Sequence, residues 1–123
     1  MSLVQDIADY IESKTSLVVD VNIFIGGETV DTPSGSIIIR EFMGSTENES
    51  GLEDRAIQIL ALDLGYINAE TLINTAYALL ANKPGFDGID DVFYATVISM
   101  PGFVDRDARG NFVFSTSFIF RKS

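Results

Sequence analysis

The chain of 123 residues is long enough for one folded domain and too short for two, and its composition, 46% hydrophobic and 21% charged, is typical of a globular protein. It contains neither cysteine nor histidine and carries a net charge of −10, which excludes disulfides, thiolate metal sites and the common catalytic pairs, and disfavours binding to nucleic acid phosphates. No apolar run has the roughly 20 residues of a membrane-spanning helix, and the N-terminal segment lacks the early positive charge of a signal peptide. We therefore expect a single domain, residues 1–123, that is not an enzyme, binds no cofactor or metal and does not enter a membrane.

The first half of the chain predicts one helix followed by strands. Residues 2–14 carry apolar side chains at helical spacing, and Ser2 stands where a side chain can cap the helix. Residues 21–27 and 36–42 are rich in β-branched side chains and flank a loop of turn-forming residues, which predicts two strands. The polar segment 44–54 contains acidic residues and no base, so we expect a solvated loop or a long hairpin tip.

The second half predicts a helix between strands. Residues 55–64 are compatible with a strand or a helix, and the apolar alternation favours the strand. Residues 68–83 predict a helix that Asn68 caps and that Lys83 closes at its last turn. Two further strands are expected. The first spans residues 92–100, and Pro101-Gly102 ends or kinks it; the second spans residues 112–120. The order predicts an α+β fold, a largely antiparallel sheet of about five strands with two helices packed on one face.

The last predicted strand carries four phenylalanines on one side. Exposing a ring of this size costs roughly 1.5–3 kcal/mol, so four exposed rings would offset most of the stability of a small domain. We therefore expect the face formed by the even-numbered residues of this strand (the even face) to pack against the helices. Its rings are Phe112, Phe114, Phe118 and Phe120. The opposite, odd face carries small side chains of mixed polarity, and we expect it to contact water or another subunit. It comprises Val113, Ser115, Ser117, Ile119 and Arg121. We also expect this last strand to lie at a sheet edge, where unpaired backbone groups can bind another chain.

The order of segments resembles the phage minor capsid and tail terminator proteins, the tail-completion family of long-tailed bacteriophages. The resemblance extends over nearly the whole chain, from the helix with DIADYIE through NIFIGG, a DTP-containing loop and the strand SIIIRE. It continues through Gly44-Ser45, the acidic loop, the strand entered by Asp54-Arg55, the helix ETLINTAYALL and the final hairpin PGFVDRDARGNFVFSTSFIF.

This resemblance implies a structural protein of the virion tail–neck region, assembled in the cytoplasm of a bacterial host. The implied structure is a ring, usually hexameric, that caps the tail tube, contacts the tail tube protein and the head connector or neck protein, and lets DNA pass without specific binding. The acidic residues expected to face the channel or a partner are Glu47, Glu49, Glu53 and Asp54. Arg106 and Arg109, with the odd face of the last strand, are the candidates for the subunit interface. Two other interpretations stay open, a neck or head-completion protein and a small-molecule-binding or enzymatic α+β domain.

Overall fold

The computed structural model describes residues 2–42, the backbone of residues 46–47, and residues 52–123. Within these residues, two helices and six strands follow one another, with a short 3₁₀ helix at Thr29–Asp31 before β2. In order they are α1 (Leu3–Lys14), β1 (Ile23–Ile25), β2 (Ser36–Glu41), β3 (Thr46–Glu47), β4 (Glu53–Asp63), α2 (Tyr66–Leu80), β5 (Val92–Arg106) and β6 (Phe112–Lys122).

The strands form one mixed sheet in the order β1-β2-β4-β6-β5, with β3 paired to β4 beside this path. Only the pairing of β1 with β2 is parallel among the described strands, and the other neighbours are antiparallel. Both helices pack their apolar sides on the same face of the sheet. The α+β fold class and the largely antiparallel sheet predicted from the sequence are confirmed.

Helix α1 begins as its sequence predicts. The hydroxyl oxygen of Ser2 accepts a hydrogen bond from the backbone N–H of Gln5 at 3.2 Å, which satisfies one of the unpaired donors of the first turn. The apolar face of the helix is buried, with Ile7 and Ile11 fully covered. The helix therefore closes the core on the side of β1 and β2.

Helix α2 differs from the prediction at both ends. It begins at Tyr66 with Gly65 at the N-cap, because the Asp63 carboxylate accepts a hydrogen bond from the Gly65 N–H at 2.7 Å and turns the chain directly out of β4. Asn68 is therefore inside the helix and not its cap. The helix ends at Leu80, so the prediction that Lys83 lies in its last turn is also wrong.

The predicted position of the last strand in the sheet is wrong as well. β6 lies between β4 and β5 and pairs along its whole length with β4, from Phe112 to Lys122. The two strands can pair over their full length because each has 11 residues. Neither contains a proline, which would remove a backbone N–H donor from the pairing. Among the described strands, β1 and β5 stand at the two ends of this order. Pro101-Gly102 kinks β5, with a register shift between Ser99 and Gly102, and the strand continues to Arg106.

The phenylalanines of β6 fill the core as predicted. Phe118 and Phe120 are fully buried and Phe114 nearly so, in one cluster with the inner faces of both helices. Tyr77 of α2 stacks on Phe118 with ring centroids 6.2 Å apart. Phe112 is half-buried at the end of the row. The even face of β6 is therefore part of the sheet face against which the helices pack.

Candidate functional site

The acidic residues predicted to face a channel or a partner divide into two groups. Glu49 and the side chain of Glu47 lie outside the described residues. Glu53 and Asp54 begin β4, where both make ion pairs within the chain. Asp54 accepts from Nε of Arg121 at 2.9 Å, and Glu53 lies 3.3 Å from Nη1 of Arg55. The hydrogen bond and the charge of Asp54 raise the pKa of Arg121. The structure thus joins Asp54 to Arg121, two residues that the sequence had placed in separate surfaces.

The two arginines predicted at the subunit interface make contacts within their own chain, Arg109 to the segment before β2 and Arg106 within the β5–β6 hairpin. Nη1 of Arg109 donates to the backbone oxygens of Val30 at 3.1 Å and Thr32 at 3.2 Å. The guanidinium of Arg106 lies over the ring of Phe112, 4.6 Å from its centroid, at a distance where a cation–π attraction operates. Both arginines remain exposed, so these contacts leave them accessible to a neighbouring molecule.

The tip of this hairpin is organised by Asp107. Its carboxylate accepts from the backbone N–H groups of Arg109 and Asn111, each at 2.9 Å, and from the Asn111 side chain at 3.1 Å. Burial raises the pKa of Asp107, but the hydrogen bonds from Asn111, Arg109 and Thr29 outweigh it and leave the pKa below its usual value. The tip is therefore a defined turn fastened over residues 28–32.

The odd face of β6 is only partly available for contact. Val113 is buried in a second apolar cluster with Ile38, Leu60 and Leu62 on the side of the sheet away from the helices. Ser117 is buried, and its hydroxyl oxygen lies 2.5 Å from the hydroxyl oxygen of Ser99.

The remaining odd-face residues, Ser115, Ile119 and Arg121, are half-buried or exposed. Ser115 accepts from the side-chain amide of Gln58 at 3.1 Å. The predicted contact face is thus largely engaged within the chain, and Arg121 is its most accessible member.

A pocket of about 300 Å³ opens on this outer face, between the β5–β6 hairpin and the 3₁₀ segment. Its volume is at the low end for a small-molecule site. Arg40 in its wall donates from Nε to Gln58 at 2.9 Å, and Gln58 donates to Ser115, so polar groups of the wall bind one another. Within the described part of the chain, no three acidic side chains are grouped as a metal site would require. These observations give no support to the small-molecule interpretation.

An exposed apolar segment of the edge strand β5 was not identified from the sequence. Its second half has four large apolar side chains that are largely exposed, and we name them the β5 strip: Ile98, Met100, Phe103 and Val104. They lie on both faces of the strand, since Phe103 packs on Tyr66 and Phe114 and Val104 lines the outer pocket. Met100 is 69% exposed. A signal was present, because residues 92–104 are apolar at both odd and even positions, whereas a strand with one buried face alternates. Such a surface is a hallmark of protein–protein contact.

Comparison with known families supports the assembly interpretation. The family model described as "Bacteriophage tail terminator protein" matches residues 7–123, nearly the whole chain. The chain belongs to the bacteriophage tail terminator family. The family resemblance expected from the sequence is confirmed, and membership makes the chain a structural component of a phage-type virion tail.

A solved structure shares the fold of this tail terminator family member. A chain of the "Virion of native gene transfer agent (GTA) particle" superposes with a TM-score of 0.60 over 99% of this chain and 98% of that chain, at 7% sequence identity. At this identity the likeness shows the fold alone. No curated protein matches the sequence. Among the described helices, none combines the length and apolar character needed to cross a membrane.

Proposed function

We propose that this tail terminator family member assembles as a ring of identical subunits, of the hexameric kind, which caps the tail tube and joins it to the head connector. The observation that carries the proposal is the family match over residues 7–123. The exposed β5 strip supports it, because apolar side chains left in water on a soluble subunit become stable when a neighbouring subunit covers them. The partners are therefore further copies of the chain, the tail tube protein and the connector or neck protein.

The charge of the chain suits a ring through which DNA moves. Each copy has a net charge of −10, so a closed ring concentrates negative charge around its channel and repels phosphates that pass through it. Specific DNA binding would instead require clustered lysine and arginine. The proposed subunit is made and assembled in the host cytoplasm, and it guides DNA without retaining it.

Electron microscopy of particles made with and without this chain tests the proposal. A ring that caps the tube stops further addition of tube subunits and offers a surface to the head. Without the chain, we expect tails of unregulated length that do not join heads, and with it a ring at the head-proximal end of the tail. Tails of normal length with unjoined heads would instead assign the chain to neck or head completion. A chain absent from particles, with tails and joining unchanged, would refute any assembly role.

A further inference from the structure

The turn at residues 86–89, between α2 and β5, contains the one aspartate of the chain that glycine follows. Phe86 and Ile89 are buried at its two ends, and the Ile89 N–H donates to the Phe86 oxygen at 3.1 Å. Asp87 and Gly88 form the tip. Gly88 has a φ of 84°, as the third residue of a type II turn requires. The turn therefore presents an Asp-Gly peptide bond to solvent between two fixed ends.

An aspartate before glycine can rearrange in water without any other reagent. The Gly88 backbone nitrogen bonds to Cγ of Asp87, and one carboxyl oxygen leaves as water with the amide proton and a proton from solvent, which closes a cyclic imide. A solvent water then opens the imide. Attack at Cγ restores aspartate, whereas attack at the main-chain carbonyl carbon of Asp87 breaks its bond to the Gly88 nitrogen and leaves isoaspartate. The composition is unchanged, but the main chain now runs through Cβ and Cγ and is longer by one atom.

Several features of the structure leave this peptide bond open to the rearrangement. The Asp87 side chain is 89% exposed, and a β carbon at Gly88 would meet nothing within 4 Å. Within the described residues, no backbone oxygen accepts from the Gly88 N–H. Nζ of Lys14 lies 3.2 Å from the Asp87 carboxylate and opposes the attack by holding it, but an ion pair this exposed is weak. The attack therefore needs only the local opening of an exposed turn, which costs far less than global unfolding.

Asp107, which precedes the small Ala108, shows why the same chemistry is suppressed elsewhere in the described chain. Its carboxylate accepts from the backbone N–H groups of Arg109 and Asn111 at 2.9 Å each, which holds it away from its own peptide bond. Ala108 also places a β carbon beside the attacking nitrogen. We propose that Asp87 is the site at which this chain converts to isoaspartate as it ages, and that the product loosens the turn from α1 and β6.

The loosening follows from what the turn is anchored to. The ring of Phe86 lies edge to face with Tyr10 of α1 at a centroid distance of 5.1 Å, and it lies 5.6 Å from the ring of Phe120. An extra main-chain atom between Phe86 and Ile89 has to be absorbed inside a turn that a single hydrogen-bonded step closes. The new carboxylate is attached directly to Cα, so it also draws back from Lys14.

Ageing of the full chain tests the proposal. The purified protein is kept in neutral buffer at physiological temperature, sampled over weeks, digested and analysed by mass spectrometry. Isoaspartate has the mass of aspartate, so we expect the peptide that contains Asp87 to give a growing second elution peak of unchanged mass, which electron-transfer fragmentation assigns to residue 87. The matched control, Asp87→Glu, keeps a carboxylate near Lys14 but has to close a larger ring, which forms far more slowly, and it should give no second peak.

Each part of the proposal has a result that overturns it. If the folded chain forms no isoaspartate at residue 87, the proposal is wrong, and its formation only in urea would show that the turn protects the bond. Equal conversion at Asp107 would contradict the selectivity argued from its hydrogen bonds. In urea unfolding, the aged natural chain should have a lower midpoint than the fresh chain, whereas aged Asp87→Glu should not. An unchanged midpoint in a sample rich in isoaspartate would refute the loosening. None of these results depends on the proposed ring.

Discussion

Replacing Phe118 with alanine tests whether the even face of β6 holds the fold together. The ring is fully buried, stacks on Tyr77 at a centroid distance of 6.2 Å, and lies edge to face with Phe120 at 6.2 Å. Truncating a buried phenylalanine removes its transfer free energy and leaves a cavity, at a cost of about 3–5 kcal/mol. A domain of this size is stable by about 5–15 kcal/mol, so we expect Phe118→Ala to lose a large share of its stability.

Urea unfolding followed by circular dichroism measures this loss as a lower transition midpoint. The slope of the transition should stay the same if only the folded state is affected. Phe93→Ala is the matched control, because Phe93 lies on the neighbouring strand and is 52% exposed. Its free energy of unfolding should change by no more than about 0.5 kcal/mol. Equal losses in the two variants would refute the division of the sheet into a buried and an accessible set of phenylalanines.

Three further substitutions test local contacts. Ser2→Ala removes the acceptor for the Gln5 N–H and should lower the free energy of unfolding by about 1 kcal/mol, whereas Ser2→Asp should retain it. Arg109→Ala removes two donors to the backbone oxygens of Val30 and Thr32, so hydrogen exchange in residues 28–32 should accelerate while exchange in α2 does not. Because the pKa of Asp107 is lower in the folded than in the unfolded chain, the ionised carboxylate stabilises the folded state. This contribution is fully present above the unfolded pKa of about 3.9 and is lost as pH falls through the folded pKa. The midpoint difference between the natural chain and Asp107→Asn should therefore be constant above about pH 5 and shrink below about pH 4, and a pH-independent difference would contradict this assignment.

The parts of the fold that follow from periodicity could be predicted from the sequence. In α1, apolar residues recur at helical spacing and Ser2 precedes them, so local physics alone determines where the helix begins. In β6, alternation identified the buried rings, because a strand places successive side chains on opposite faces. In each case the signal lies within a segment of about twelve residues and does not depend on its neighbours.

The parts that were predicted wrongly depend on contacts between distant segments. Asn68 is a good capping residue, yet α2 begins earlier because Asp63, at the end of β4, binds the Gly65 N–H. The interior position of β6 follows from its pairing with both β4 and β5, which no pattern within β6 reveals. The same holds for Asp54 and Arg121, which are 67 positions apart and meet only because the two strands pair in register.

The interior position of β6 also removes its backbone from the surfaces that the proposed ring could use. Had β6 been an edge strand, its own backbone would have been the natural template for a neighbouring chain. Because β4 and β5 cover both its sides, the backbone of β6 has no free ladder to offer to another chain. Two copies of a chain of net charge −10 repel one another. The contacts of the proposed ring therefore have to offset that repulsion by burying apolar groups or pairing opposite charges. Salt at 0.1 M largely screens the repulsion between exposed charges more than about 10 Å apart but leaves the gain from apolar burial intact, so the balance between the two depends on ionic strength.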